Sequence, residues 1–340
     1  MPELLQSLVR RDGPVERAAW ADFWERLHER RLRSGEGLAV LAAASGWTSD
    51  APTMESFLGS LADRARPLPA RWPGTVNVVG TGGGPATFNL STAAALVAAA
   101  TGVRIVKTGS RGYTSRYGSI DILDRLGIPT ATSYAQCEDL LEQYNVAFAG
   151  GFVYPVELTE LARAVVPFGF KQVGRFVNLL GPFLAAVPVG AQLTGVSDPE
   201  LWPAFGELAR ERGIWLVRNE LRIDELVAFT GNTVLAGGTS FTVGPARVGL
   251  PAEGTPDDLR PAGEGESPTE HLLALLRGDG PRAAVRSICL NAAAAAVASG
   301  LRTDWAQAYA VAEQAVRGGA ALELVERLRR PRTGAVGAGV

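Results

Sequence analysis

Residues 78 to 92 read VVGTGGGPATFNLST: four glycines around a threonine, running straight into Asn-x-Ser-Thr. A valine-rich run precedes the loop and an alanine-rich run follows it, so it joins a strand to a helix. Such a unit turns bare backbone N–H groups and the positive end of a helix dipole toward the carboxyl edge of a sheet, where ligands of open α/β folds bind. That environment suits an anion, most often a phosphate. The loop fits neither the P-loop, which needs Gly-Lys-Ser/Thr, nor GxGxxG, whose third glycine would fall at Ala86. Taken alone, Gly80, Gly82, Gly83 and Gly84 are compatible with a plain tight turn. Ser91 is likewise compatible with ordinary capping of the helix start, and Asn89 and Thr92 add short polar side chains beside it.

A second loop repeats the chemistry. KTGSRGYTSRYGS (107–119) sets Lys107, Arg111, Ser115, Arg116 and Ser119 among glycines, and two such loops at one sheet edge could hold two phosphates of one ligand. Lys107 and Lys171 are the only lysines in a chain of 33 basic residues, so a lysine here marks a place where a compact point charge serves better than a broad guanidinium. Further on, IDEL places Asp224 and Glu225 side by side. In an extended strand neighbours point to opposite faces, so two adjacent acids act together only in a turn. A natural task for them there is Mg²⁺ shared between carboxylates and phosphates, although an exposed charged turn explains the pair equally when it is read by itself.

The elements that must position these residues follow from periodicity. Residues 1–68 carry apolar positions at three- and four-residue spacing and read as helices, and RPLPARWPG (66–74) reads as a linker. From residue 75 onward short β-branched runs alternate with helices of 10–15 residues, which predicts βα units and a mainly parallel sheet flanked by helices. The chain returns to helix near its end, and 331–340 reads as a flexible tail. At 340 residues and 46% hydrophobic the composition is globular. A net charge of −2 gives no support to a nucleic-acid or membrane-surface role. Cys137 and Cys289 lie far apart in helical runs, a usage that fits a reducing cytoplasm better than a disulfide scaffold. No apolar run reaches the ~20 residues of a membrane span.

Taken together the motifs resemble the anthranilate phosphoribosyltransferase family. The resemblance rests on GTGG…TFNLST (80–92), K-x-G-x-R…S…GS-x-D-x-L-x-x-LG (107–127), FVNLLGP (176–182), the acidic pair (224–225) and LNAAAAAVASG…GGAALELVE (290–326). It implies a small helical domain (1–70, completed by a segment around 165–190) and a large α/β domain (71–335). It also implies a homodimer through the helical part, and transfer of 5-phosphoribosyl from phosphoribosyl pyrophosphate (PRPP) to an aromatic amine with Mg²⁺. By that resemblance Gly80, Gly82 and Gly83 cradle the diphosphate. Thr87, Asn89, Ser91 and Thr92 hold phosphate oxygens, and Lys107, Arg111, Ser115 and Ser119 complete the PRPP site. Ser91, Asp224 and Glu225 hold the metal.

The acceptor side departs from the family pattern. Gly84 stands where the family carries an aspartate, and the loop is one residue shorter. Thr108 and Ser110 replace a histidine and an asparagine, and Tyr154-Pro155 replaces His-Pro. Where an arginine meets the anthranilate carboxylate, this chain offers Phe168 or Gly169, with Lys171 and Arg175 as displaced candidates. Arg222-Ile223 precedes the acidic pair in place of a glycine. A carboxylate acceptor normally wants a bidentate arginine. The expectation is therefore a phosphoribosyltransferase with an altered aromatic or heterocyclic acceptor. The alternatives are an anthranilate phosphoribosyltransferase of tryptophan biosynthesis with a rearranged acceptor site, a nucleoside phosphorylase, and a non-catalytic PRPP- or nucleic-acid-binding paralogue.

Overall fold

The computed structural model describes residues 2–109 and 117–329. Four helices open the chain: α1 (Glu3–Arg10), α2 (Arg17–His28), α3 (Glu36–Ala44) and α4 (Ala51–Ala62). Asp50 caps α4 by accepting from the Thr53 N–H at 2.9 Å. Their buried faces meet in an aromatic cluster in which Trp20 stacks on Phe176 and meets Phe57 edge-on. Phe176 lies far along the sequence, in a run of short helices: α8 (Val156–Ala164), α9 (Phe170–Val173), α10 (Arg175–Leu179) and α11 (Gly181–Leu184). Leu161, Val165, Phe176, Val177 and Leu180 share one apolar core with α1–α4.

The second core is built on a seven-stranded sheet. Its strands are β1 (Trp72–Gly80), β2 (Arg104–Lys107), β3 (Val146–Phe148), β4 (Val189–Gly195), β5 (Ile214–Asn219), β6 (Asn232–Ala236) and β7 (Thr239–Val243), in the order β3-β2-β1-β4-β5-β6-β7. The first five are parallel, and β5-β6-β7 is antiparallel. The mainly parallel sheet expected from the alternating pattern is therefore present. The β6–β7 hairpin was not foreseen, although its signal is in the sequence: Gly237 and Gly238 both take positive φ between two β-rich runs, as a two-residue hairpin turn demands. β1 also begins earlier than the proline linker suggested. Pro73 and Gly74 sit at an irregularity in the β1–β4 register, between Trp72↔Val189 and Val76↔Ala191, where a missing N–H is tolerated.

Helices cover the sheet: α5 (Leu90–Ala100), α6 (Ser119–Leu126), α7 (Tyr134–Tyr144), α12 (Trp202–Arg210), α13 (Pro268–Arg277), α14 (Arg282–Ala298), α15 (Trp305–Arg317) and α16 (Ala320–Arg329). α5 packs against the alanine-rich α14 in the sheet's core, and every α5 residue from Leu90 to Ala99 except Ser91 is buried. The chain runs β1, β2, β3 toward one edge and then returns to place β4 on the other side of β1. The strand order therefore reverses between β1 and β4, and a crevice at their carboxyl ends is the expected ligand position. Both cysteines are free and buried. Among the described residues no helix is long and apolar enough to cross a membrane.

Candidate active site

A cavity of about 500 Å³ opens at that reversal. One half is walled by the glycine loop after β1, by Ser91, Lys107 and Ser119, and by Asp224 and Glu225. The other half is walled by Tyr154, Leu158, Phe170, Lys171, Val177 and Pro182, together with their neighbours on α8–α11. The first half is polar and charged. The second is largely apolar, with Lys171 as its only charged lining residue among those described.

The backbone explains why glycines are needed. Gly80 and Gly195 face each other across β1 and β4, and a Cβ on either would overlap Asp224. The pair clears the strand ends so that the bend carrying Asp224 and Glu225 can cross over them. Gly82 and Gly83 take positive φ, and the Gly82 N–H donates to Asp224 Oδ2 at 2.8 Å. The loop is braced from β4's end: Ser197 Oγ donates to the Gly82 carbonyl at 2.5 Å, and the Ser197 N–H donates to Thr81 Oγ1 at 3.3 Å. Asn89 ties the two βα loops together by donating to the Tyr117 carbonyl at 3.3 Å.

Lys107 ends β2 with its side chain buried beneath the loop. Its ammonium donates to the Val78 carbonyl at 2.9 Å and to Ser91 Oγ at 3.2 Å. Burial pulls its pKa down to about 8, against the opposing pull of Glu225 and Asp224. Burial raises the Asp224 carboxyl, which the Gly82 N–H and Lys107 partly offset. It raises Glu225 well above the ordinary value, and the charge of Asp224 adds to that rise. Glu225 Oε2 is buried without a hydrogen-bond partner among the described residues. Two carboxyls share this spot with one ammonium, so ionising both leaves an excess negative charge with an orphaned oxygen. A hard dication supplied together with phosphate oxygens answers both conditions, and the donor set fits Mg²⁺.

The structure gathers most, but not all, of the residues singled out by sequence. Gly80, Gly82, Gly83, Thr87, Asn89, Ser91, Lys107, Thr108, Ser119, Tyr154, Lys171, Asp224 and Glu225 all line the cavity. Thr92 does not: it is wholly buried in the first turn of α5, with its hydroxyl unpartnered among the described residues. Phe168 is half exposed and lies off the cavity in the turn before α9. Arg175 also lies off it, with its guanidinium turned to Asp198 at 3.4 Å. Of the two displaced cations, Lys171 alone lines the second, apolar half of the cavity. Ser110, Arg111 and Ser115 lie outside the described residues, as does the 331–340 tail. Sequence reasoning missed Asn77, Gln192 and Ser197. The signal for the two amides was available, because Asn77 and Gln192 interrupt apolar strands where a buried amide needs partners.

A model of the glycosyl transferase family α/β domain matches residues 73–322. An anthranilate phosphoribosyltransferase of Geobacillus kaustophilus is 32% identical over 281 residues, which is 80% of this chain and 81% of that protein. The chain belongs to the anthranilate phosphoribosyltransferase family. Membership makes it a phosphoribosyltransferase and agrees with the architecture. The anthranilate phosphoribosyltransferase of Thermus thermophilus superposes with a TM-score of 0.79 at 26% identity, covering 97% of this chain and 98% of its own. The yeast enzyme, from Saccharomyces cerevisiae in complex with PRPP and Mg, shares the fold with a TM-score of 0.72 at 22% identity, over 92% and 91% of the two chains.

Proposed function

We propose that the protein transfers the 5-phosphoribosyl group of PRPP to an aromatic amine or heterocycle in a Mg²⁺-dependent reaction, with an acceptor half that differs from the family pattern. One observation carries the donor side: the glycine loop, Lys107 and the Asp224–Glu225 pair converge on one end of a single cavity, where Glu225 Oε2 has no hydrogen-bond partner among the described residues. Cleaving the C1–O bond of PRPP builds negative charge on the leaving diphosphate, and the glycine loop and Lys107 both line that end of the cavity, where donors and positive charge stabilise it. When bound, Mg²⁺ supplies the remaining counter-charge there, held by Asp224, Glu225 and the Ser91 hydroxyl. Thr87, Asn89 and Ser119 complete the cradle. The apolar half holds the acceptor ring behind C1, so alignment and not a general base does the rest.

The loss of a bidentate arginine carries the acceptor side. Arg175 faces Asp198 and Phe168 is half exposed off the cavity, which leaves Lys171, among the described residues, as the cation lining that half. The alternative reading, an anthranilate phosphoribosyltransferase with a rearranged acceptor site, keeps one support, since Lys171 places a basic side chain in the wall of that half. The helical domain is taken as 1–70 with the segment around 165–190, the α/β domain as 71–335, and the unit as a cytoplasmic homodimer through the helical part, following the family resemblance.

Two measurements test this. Saturating PRPP with Mg²⁺ at about 100 times Kd stabilises a native protein by about 2.7 kcal/mol, so the melting temperature rises and the rise disappears with EDTA or in Asp224→Ala/Glu225→Ala. No shift in the wild-type protein would refute the donor assignment. Efficient formation of phosphoribosyl anthranilate would refute the altered acceptor.

A further inference from the structure

Two buried amides of the sheet sit behind the cavity. Asn77 on β1 and Gln192 on β4 are register partners in neighbouring parallel strands, so their side chains share one face of the sheet. Gln192 Nε2 donates to the Pro182 carbonyl at 2.9 Å and to Thr194 Oγ1 at 3.0 Å. Gln192 Oε1 accepts from Asn77 Nδ2 at 2.9 Å. Asn77 Nδ2 also donates to Thr108 Oγ1 at 3.0 Å, while Asn77 Oδ1 accepts the Thr108 backbone N–H at 3.0 Å and the Thr108 hydroxyl at 3.2 Å. The carbonyl at one end can only accept and the backbone N–H at the other can only donate, so neither amide can flip.

Both ends of this string line the cavity, Pro182 in the acceptor half and Thr108 next to Lys107. The Pro182 end shows what the string does. α11 is a single turn, and if it continued, the Pro182 carbonyl would accept the N–H of Ala186 four residues on. Ala186 donates instead to the Val153 carbonyl at 2.7 Å. Gln192 supplies the partner that the helix lacks and ties the acceptor wall to β4. Asn77, Thr108 and Thr194 are wholly buried and Gln192 nearly so, and every amide hydrogen of the pair is used. A fully satisfied buried network holds one arrangement, so it fixes the separation between Pro182 and the strand ends that carry the donor loops.

We infer that Gln192 is a positioning residue for phosphoribosyl transfer: through the Pro182 carbonyl it sets how the acceptor ring lies behind C1, and Asn77 fixes the direction of its amide. The inference rests on the phosphoribosyl-transfer reading above. A misplacement of about 1 Å can cost about 100-fold in rate while apolar contacts to the ring persist. The signature is therefore a loss of rate and not of affinity.

The test uses the full-length protein with PRPP and Mg²⁺, and takes as acceptor whichever of anthranilate, 2-aminobenzamide and aniline is transferred fastest. Calorimetry gives PRPP affinity, and single-turnover kinetics give the transfer rate and the acceptor concentration at half-saturation. Gln192→Met fills similar space without a donor, and should slow transfer at saturating acceptor by about 10- to 100-fold with both affinities changed less than about threefold. Asn77→Ser, at a residue that does not line the cavity, should show the same signature at about 3- to 10-fold, and it decides the matter if Gln192→Met does not fold. Thr194→Val removes the other acceptor of the same nitrogen but leaves the Pro182 contact, so it should lose stability and keep the wild-type rate. A folded Gln192→Met or Asn77→Ser with the wild-type rate overturns the inference, as does a loss confined to acceptor affinity or an equal loss of rate in Thr194→Val. A wild type that binds PRPP with Mg²⁺ but transfers to none of the three acceptors overturns it too. A wild type that fails to bind PRPP with Mg²⁺ overturns the underlying reading instead.

Discussion

Gly84 shows how a single atom links distant positions. A Cβ there would overlap the carbonyl oxygen of Arg222 and stand 2.9 Å from Ser197 Cβ. Arg222 itself holds φ of 57°, a left-handed conformation that strains a residue with a side chain by about 1–2 kcal/mol. By sequence, Gly84 in place of an acid and Arg222 in place of a glycine look like two unrelated departures. In space they are one, because the Arg222 carbonyl occupies the room that a side chain at 84 would need. Gly84→Asp is therefore expected to destabilise the protein by about 1–3 kcal/mol and to weaken PRPP binding, since the clash falls on the loop proposed to cradle it. Arg222→Gly in the same molecule should recover part of both losses by letting that turn relax. Chemical denaturation and PRPP titration of the two single variants and the double variant measure the coupling. Strict additivity would show the positions to be independent.

At the scale of elements, α5 is the part on which the donor site depends. Its run of alanines packs along the alanine-rich α14, and small side chains let the two axes approach closely. That approach seats Ser91 over Lys107. Ala95 is wholly buried one turn beyond Ser91 on the same helix face. Ala95→Leu should cost about 1–3 kcal/mol through overpacking and should also weaken PRPP binding, because the helix can relieve the strain only by moving its first turn. Thermal melting and calorimetry on the same preparation separate the two effects. Lost stability with unchanged PRPP affinity would mean that the seat of α5 does not aim Ser91. Elements of this kind were the legible part of the sequence. TVNVVG and NLSTAAALVAAATG announce a strand and a helix by periodicity, and the glycines between them announce an anion loop. Thr92 could not be separated from Ser91 by sequence, because which hydroxyl of a first turn faces a cavity depends on how the helix is rotated against its neighbours. Phe168 and Arg175 likewise sit among short helices whose path is set by the aromatic core they pack on and not by local propensity. The hydrogen bond from Asn77 Nδ2 on β1 to Gln192 Oε1 on β4, at 2.9 Å, was hidden for the same reason, since its partners come from different strands.

In the molecule as a whole the cavity lies between two cores of different make. Its donor half stands on the βα loops of the sheet, and its acceptor half stands on α8–α11, whose apolar residues belong to the aromatic core of the N-terminal helices. Phe176 is the joint: its ring is wholly buried against Trp20 and Phe57, and the next two residues, Val177 and Asn178, line the acceptor half. Ser197 is its counterpart, outside the acceptor half and bound to the glycine loop through Gly82. A site divided in this way should fail by halves. Phe176→Leu keeps an apolar side chain but loosens the aromatic stack, and it should raise the acceptor KM several-fold with PRPP affinity changed less than about twofold. Ser197→Ala removes a hydrogen bond worth about 0.5–1.5 kcal/mol, so PRPP affinity should fall by roughly 2- to 12-fold while the acceptor KM at saturating PRPP stays near the wild-type value. Steady-state kinetics with each substrate varied at saturating levels of the other read both constants from one data set. If each variant instead moved both constants together, the two halves would be coupled through closure of one core on the other, and the cavity would have to be treated as a single mechanical unit.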